Sequence, residues 1–172
     1  MKYDFPKLDL HLHLDGSMLP ESAWEMAKER GIEMPADNLN DFKKFIVVTA
    51  DCRSVNEYLE KFELPLQILQ DKAAISRTAR ELVIMLAEQG LVYAEIRFAP
   101  QLHMRKGLTQ EDAIEAVLEG VNQGMAEAKT IDIGVICCAM SIGLETVNKD
   151  ENLETVRAAK KYLGKGIVAV DL

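Results

Sequence analysis

The chain has 172 residues, enough for one sizeable core and, on average, one domain. Its 20 Lys and Arg stand against 28 Asp and Glu, a net charge of −8, which argues against a nucleic-acid backbone or an anionic membrane surface as the main partner. Apolar content of 48% is ordinary for a globular protein, the apolar runs are too short to span a bilayer, and residues 1–6 lack the apolar core of a signal peptide. Three cysteines, with Cys137 and Cys138 adjacent, suit reduced thiols rather than a disulfide framework, so the chain is expected to be cytoplasmic.

The first predicted element, residues 7–14, alternates without an error. Leu8, Leu10, Leu12 and Leu14 fall on one side; Asp9, His11, His13 and, just beyond, Asp15 fall on the other. A strand has a side-chain period of two, so this is a strand with one apolar and one ionisable face. Two of the chain's three histidines sit on that ionisable face as neighbours i and i+2, close enough to grip one ion. Neutral imidazole is the commonest metal ligand, which makes His11 and His13 the candidate metal pair. A solvated strand face is the plainer alternative. Two ligands do not complete a site, since a catalytic zinc takes three protein ligands and an open position.

Pro20 suits the first position of a helix over residues 21–30 that stops at Gly31, and residues 34–38 read as a loop. Ser54 and Glu57 form a capping-box pattern for a helix over residues 55–62, which Pro65 breaks or kinks. Asp71 caps a long amphipathic helix ending near Gly90. Residues 91–98 read as a strand with Tyr93, Glu95 and Arg97 on one face, and Glu95 and Arg97 are expected to pair with each other. His103 is expected to be an exposed loop residue. Thr109 and Asp112 open a helix to about Lys129; residues 131–138 are a β-branched strand, 152–163 a helix stopped by Gly164, and 167–172 a last strand.

Strands alternating with helices imply a parallel sheet built from right-handed crossovers. A doubly wound open sheet buries both strand faces under helices, whereas the first two strands here carry a polar face each. Such a face suits the lumen of a (β/α) barrel, and His13, Asp15 and Asp171 stand at C-terminal strand ends, where barrel active sites lie. Four strands are half of eight. The expected fold is α/β, the first half, in four parallel β/α units, of a TIM-type (β/α)8 barrel.

Residues 6–17, Pro-Lys-Leu-Asp-Leu-His-Leu-His-Leu-Asp-Gly-Ser, resemble the opening strand of the adenosine deaminase family of zinc-dependent amidohydrolases. Further blocks agree in order: residues 30–32 and 35–37 in the first loop, 59–62 in the lid helix, 92–100, 136–138 and 168–172 in the next three strands. The resemblance covers essentially the whole chain but only the N-terminal half of the family's domain. It implies that His11 and His13 are two ligands of one zinc ion, and that Asp15 accepts a hydrogen bond from the ribose 5′-hydroxyl. It also implies that Val55, Tyr58, Leu59 and Phe62 form an apolar gate over the purine, and that Asp171 stands near the substrate. Taken without the family, those four apolar residues at helical spacing read equally as core. The Asp at position 15, where adenine deaminases tend to have Glu, favours a nucleoside over a free base.

The implied reaction is hydrolysis of adenosine or deoxyadenosine to inosine and ammonia in purine salvage. The third zinc histidine, the aspartate ligand, the general-acid glutamate and a histidine-aspartate pair belong to later strands, so these residues alone are expected to be inactive. Two departures stand out: Gln101 where the family often has histidine, and no clean match to the family's arginine after residues 137–140. The alternatives are another metal-dependent amidohydrolase, such as an adenine deaminase, or a non-catalytic half-barrel. Open first and fourth strands suggest self-association or pairing with a C-terminal half.

Overall fold

The computed structural model describes residues 5–141 and 147–172. Among them lie four strands, β1 (Lys7–His13), β2 (Leu91–Phe98), β3 (Asp132–Cys138) and β4 (Ile167–Asp171). They form one parallel sheet in the order β1-β2-β3-β4. Seven helices accompany them: α1 (Pro20–Glu29), α2 (Leu39–Ile46), α3 (Val55–Glu60), α4 (Glu63–Ile68), α5 (Lys72–Glu88), α6 (Gln110–Ala128) and α7 (Lys149–Tyr162). Sequential parallel strands with helical crossovers are the arrangement the alternation predicts. No helix among the described residues is long and apolar enough to cross a membrane.

Helix ends obey the predicted chemistry. Asp71 accepts from the Ala74 amide at the start of α5, and Thr109 and Asp112 complete a reciprocal capping box at the start of α6. Ser54 caps α3 through the Glu57 amide. That helix ends at Glu60 rather than continuing to Phe62, and Pro65 falls inside the first turn of α4, where its missing N–H costs no helical bond. Helix α2 lies directly after the predicted loop. Asn38 caps it through the Asp41 amide, and Phe42 on it is fully buried against Trp24.

The core lies between the sheet and the layer of α5, α6 and α7, which pack over β2, β3 and β4. Helices α5 and α6 approach so closely that a Cβ on Gly120 would stand 2.1 Å from the Ser76 carbonyl oxygen, so only glycine fits there. The strand β1 departs from expectation. Leu8 and Leu10 are 65% and 55% exposed, because β1 is a sheet edge and the covering helices sit over the other strands. Leu12 is half-buried, and Leu14, past the strand end, is fully buried. The three cysteines are free thiols, and burial pushes the Cys137 thiol pKa up to about 12.

The polar strand face also pairs differently from expectation. Glu95 accepts from the Tyr93 hydroxyl at 3.0 Å, while Arg97 reaches away to His11 and Asp171. Residues 95 and 97 are consecutive on one face, but the longer arginine reaches the adjacent β1 on one side and, past β3, β4 on the other.

Candidate functional site

The C-terminal ends of β1, β2 and β4 converge at one mouth. In the β1–β2 register His13 stands opposite Arg97, and in the β3–β4 register Cys138 stands opposite Asp171. The His11 and His13 rings share the polar face of β1 with centroids 5.5 Å apart. Burial holds the His13 imidazole below its usual range, with the Arg97 charge acting the same way, which favours the neutral form a metal needs. The donor chemistry therefore fits two ligands of a zinc ion. Among the described residues, no group of three or more His, Cys, Asp and Glu completes such a set.

Directly after β1 the chain turns through a short 3₁₀ segment, Asp15–Ser17, which places Asp15 in the interior at 7% exposure. The Asp15 carboxylate accepts from the Gly16 amide at 3.1 Å, and burial raises its pKa while the nearby His103 opposes that shift. Gly16 makes room for Phe62: a Cβ there would stand 3.1 Å from the Phe62 ring. The Phe62 ring meets His13 edge-on at 6.3 Å and Tyr58 at 5.2 Å.

Between the α3–α4 segment and the strand ends lies a mainly apolar cavity of about 420 Å³, lined by His13, Asp15, Tyr58, Leu59 and Phe62, together with Leu66, Ala99, Leu102, Cys138 and Met140. A second cavity of about 330 Å³ shares Asp15, Tyr58 and Phe62 and extends toward Met18 and Ile46. The structure thus brings together five of the residues singled out in the sequence. His11 stands two residues further from the mouth on the same face of β1. Asp171 is drawn into an ion pair with Arg97, and Val55 is 72% exposed and lines neither cavity.

The additional lining residues carried little local signal. Cys138 could be inferred from strand parity, and Leu66 from its place one turn beyond Phe62. Leu102 sits in a 3₁₀ turn (Pro100–His103) with no periodicity to read.

His103 is a correction to the sequence reading: its ring is fully buried, beside Phe98 at 5.8 Å, instead of being exposed in a loop. Its Nδ1 lies 2.8 Å from the Leu69 carbonyl oxygen, which can only accept, so the proton is on Nδ1. Nε2 has no partner among the described residues, and burial pushes the imidazole toward the neutral form. Gln101, at the position where the resemblance implies a histidine, donates from Nε2 to the Asn152 side-chain Oδ1 at 2.8 Å and ties the β2 end to α7.

Successive parallel β/α units, with imidazoles at the first strand's end and a cavity over the same mouth, define a class: the first half of a TIM-type (β/α)8 barrel, with its site at the C-terminal face. Within that class the chain belongs to the adenosine deaminase family, whose model matches residues 6–172. It is 44% identical to an adenosine deaminase of Haemophilus ducreyi over 168 residues, covering 96% of this chain and 48% of that protein. To an adenosine deaminase of Clostridium kluyveri it is 42% identical, with 97% and 47% covered. The chain spans about half the length of the curated relatives it matches.

Among solved structures, the apo N6-methyl-AMP deaminase of Arabidopsis thaliana superposes with a TM-score of 0.76 at 25% identity, covering 97% of this chain and 48% of that one. An amidohydrolase from Burkholderia ambifaria with bound Zn superposes with a TM-score of 0.76 at 17% identity, covering 96% of this chain and 43% of that one, which supports the fold.

Proposed function

We propose that this chain is the N-terminal half of a zinc-dependent adenosine deaminase that converts adenosine or deoxyadenosine to inosine and ammonia in purine salvage. The observation that carries the reading is the common mouth: two imidazoles 5.5 Å apart on β1, with His13 and the buried Asp15 opening onto a cavity roofed by Tyr58 and Phe62. His11 and His13 hold the metal. Zinc bound there would supply a water made nucleophilic near neutral pH, for attack at C6 of the purine.

This chain's other residues bind and orient. Tyr58, Leu59 and Phe62 enclose the apolar base and exclude water. Asp15 accepts the 5′-hydroxyl, and its burial strengthens that hydrogen bond relative to one in water. Asp171 stands at the mouth of β4, where its carboxylate is available to substrate once released from Arg97. The general acid comes from the second half of the barrel, so this half binds without turning over. The second half of the barrel closes against the edges of β1 and β4, and the compartment is the cytoplasm. An aspartate at position 15 favours a nucleoside over free adenine.

Calorimetric titration of the chain with zinc chloride, beside a His11→Ala, His13→Ala double variant, tests the metal half of this reading. Zinc binding in the parent and none in the variant is expected. Equal affinity in both removes these histidines from the site.

A further inference from the structure

We propose that Arg97 is a resident cation of the imidazole site, and that a divalent metal takes His11 only by displacing its guanidinium. Arg97 is 8% exposed and lies on β2, next to β1 and two strands from β4. Its Nη1 stands 2.9 Å from Nδ1 and 3.0 Å from Nε2 of His11. Its Nη2 pairs with the Asp171 carboxylate, and its Nε is buried without a partner among the described residues. One guanidinium therefore bridges β1 to β4 across the mouth.

A guanidinium has only donors and stays protonated. It therefore sets a fixed positive charge against the His11 ring. Standing 2.9 and 3.0 Å from the two ring nitrogens at once, Nη1 aligns with neither of their diverging in-plane lone pairs but crowds both. A metal ion on either nitrogen would stand beside that charge, and like charges at such a distance repel. The fixed positive charge also opposes a dication at His13, the register neighbour of Arg97. Asp171 holds the guanidinium in place from the other side. Arg97 thus sets how tightly this mouth takes metal, and it keeps the strand ends together while none is bound. Metal entry frees both Arg97 and the Asp171 carboxylate.

The proposal rests on the reading of His11 and His13 as metal ligands, and the test separates the two. The chain has three histidines, so ring-nitrogen NMR of histidine-labelled protein resolves each during a titration with zinc chloride. Arg97→Met is expected to bind zinc about tenfold more tightly, the worth of removing one unit charge a few ångströms from a dication in a well-solvated site. That gain is expected to vanish when His11→Ala is added. In the wild-type chain, the Arg97 guanidinium resonances are expected to shift as zinc shifts those of His11; this measurement stands even if the methionine variant does not fold.

Zinc shifts at His11 and His13 with Arg97 unmoved, or equal or weaker affinity in a folded Arg97→Met, overturn the proposal and leave the metal reading intact. No zinc response at either histidine, in the parent and the variant alike, overturns both.

Discussion

The Arg30 guanidinium grips both oxygens of Asp71, Nε to Oδ2 at 2.7 Å and Nη2 to Oδ1 at 3.0 Å, and the same carboxylate caps α5 through the Ala74 amide. One side chain thus joins the end of α1 to the start of the long helix beneath the sheet. The Arg30 hydrogen bonds hold the Asp71 carboxyl below the usual carboxylate range.

The unfolded chain therefore binds a proton at Asp71 before the folded one does. The pair's stability is present above the unfolded carboxylate pKa and lost as pH falls through the lower folded value. Asp71→Ala is expected to cost about 2 kcal/mol at pH 7, roughly 1 for the cap and the rest for a partly exposed ion pair. Asp71→Asn keeps a capping oxygen and is expected to cost less than half of that. Urea unfolding at pH 7 and pH 3 checks this: both differences from wild type shrink in acid. Differences unchanged at pH 3 contradict the linkage.

His103 shifts in the same direction for a different reason. Burial holds its imidazole neutral in the folded state, below the value it takes when unfolded. The unfolded chain therefore binds the extra proton first, and this contribution to stability is lost as pH falls below about 6.5, the unfolded value. Replacement by Gln keeps a donor to the Leu69 carbonyl and removes the titration. Denaturation midpoints between pH 7.5 and 5.5 are expected to fall more steeply in wild type than in His103→Gln. Parallel slopes contradict the assignment of a buried neutral ring.

The sequence disclosed what depends on short spacing and hid what depends on distant packing. Period-two alternation placed His11 and His13 on one face, and the Thr109–Asp112 cap marked α6 to the residue. The burial of His103 was illegible because its partner carbonyl, Leu69, lies 34 positions away at the junction of α4 and α5. Arg97 was assigned to Glu95, its neighbour on the same face, while its actual partners lie on two other strands. The exposure of Leu8 and Leu10 reflects an edge position that no local pattern encodes. Helix α2 carried a readable cap at Asn38, but its polar, loop-like approach masked it.

The proposed role of Asp15 is substrate discrimination in the assembled barrel. Asp15→Ala is expected to reduce kcat/KM for adenosine roughly tenfold or more, the value of a lost hydrogen bond to a charged acceptor. Turnover of 5′-deoxyadenosine, which lacks the donor, is expected to change far less. Steady-state kinetics on both substrates decide it: equal losses move Asp15 from the ribose to the metal or the fold.

The central claim is that this chain is half of a deaminase site. The most direct test mixes it, with zinc, with a separately produced C-terminal half of the Haemophilus ducreyi adenosine deaminase, and follows adenosine loss at the purine absorbance. Each half alone is expected to be silent and the mixture to deaminate adenosine. A mixture carrying His11→Ala and His13→Ala should remain silent. Undiminished activity with both histidines removed, or no activity from a demonstrably assembled pair, contradicts the account.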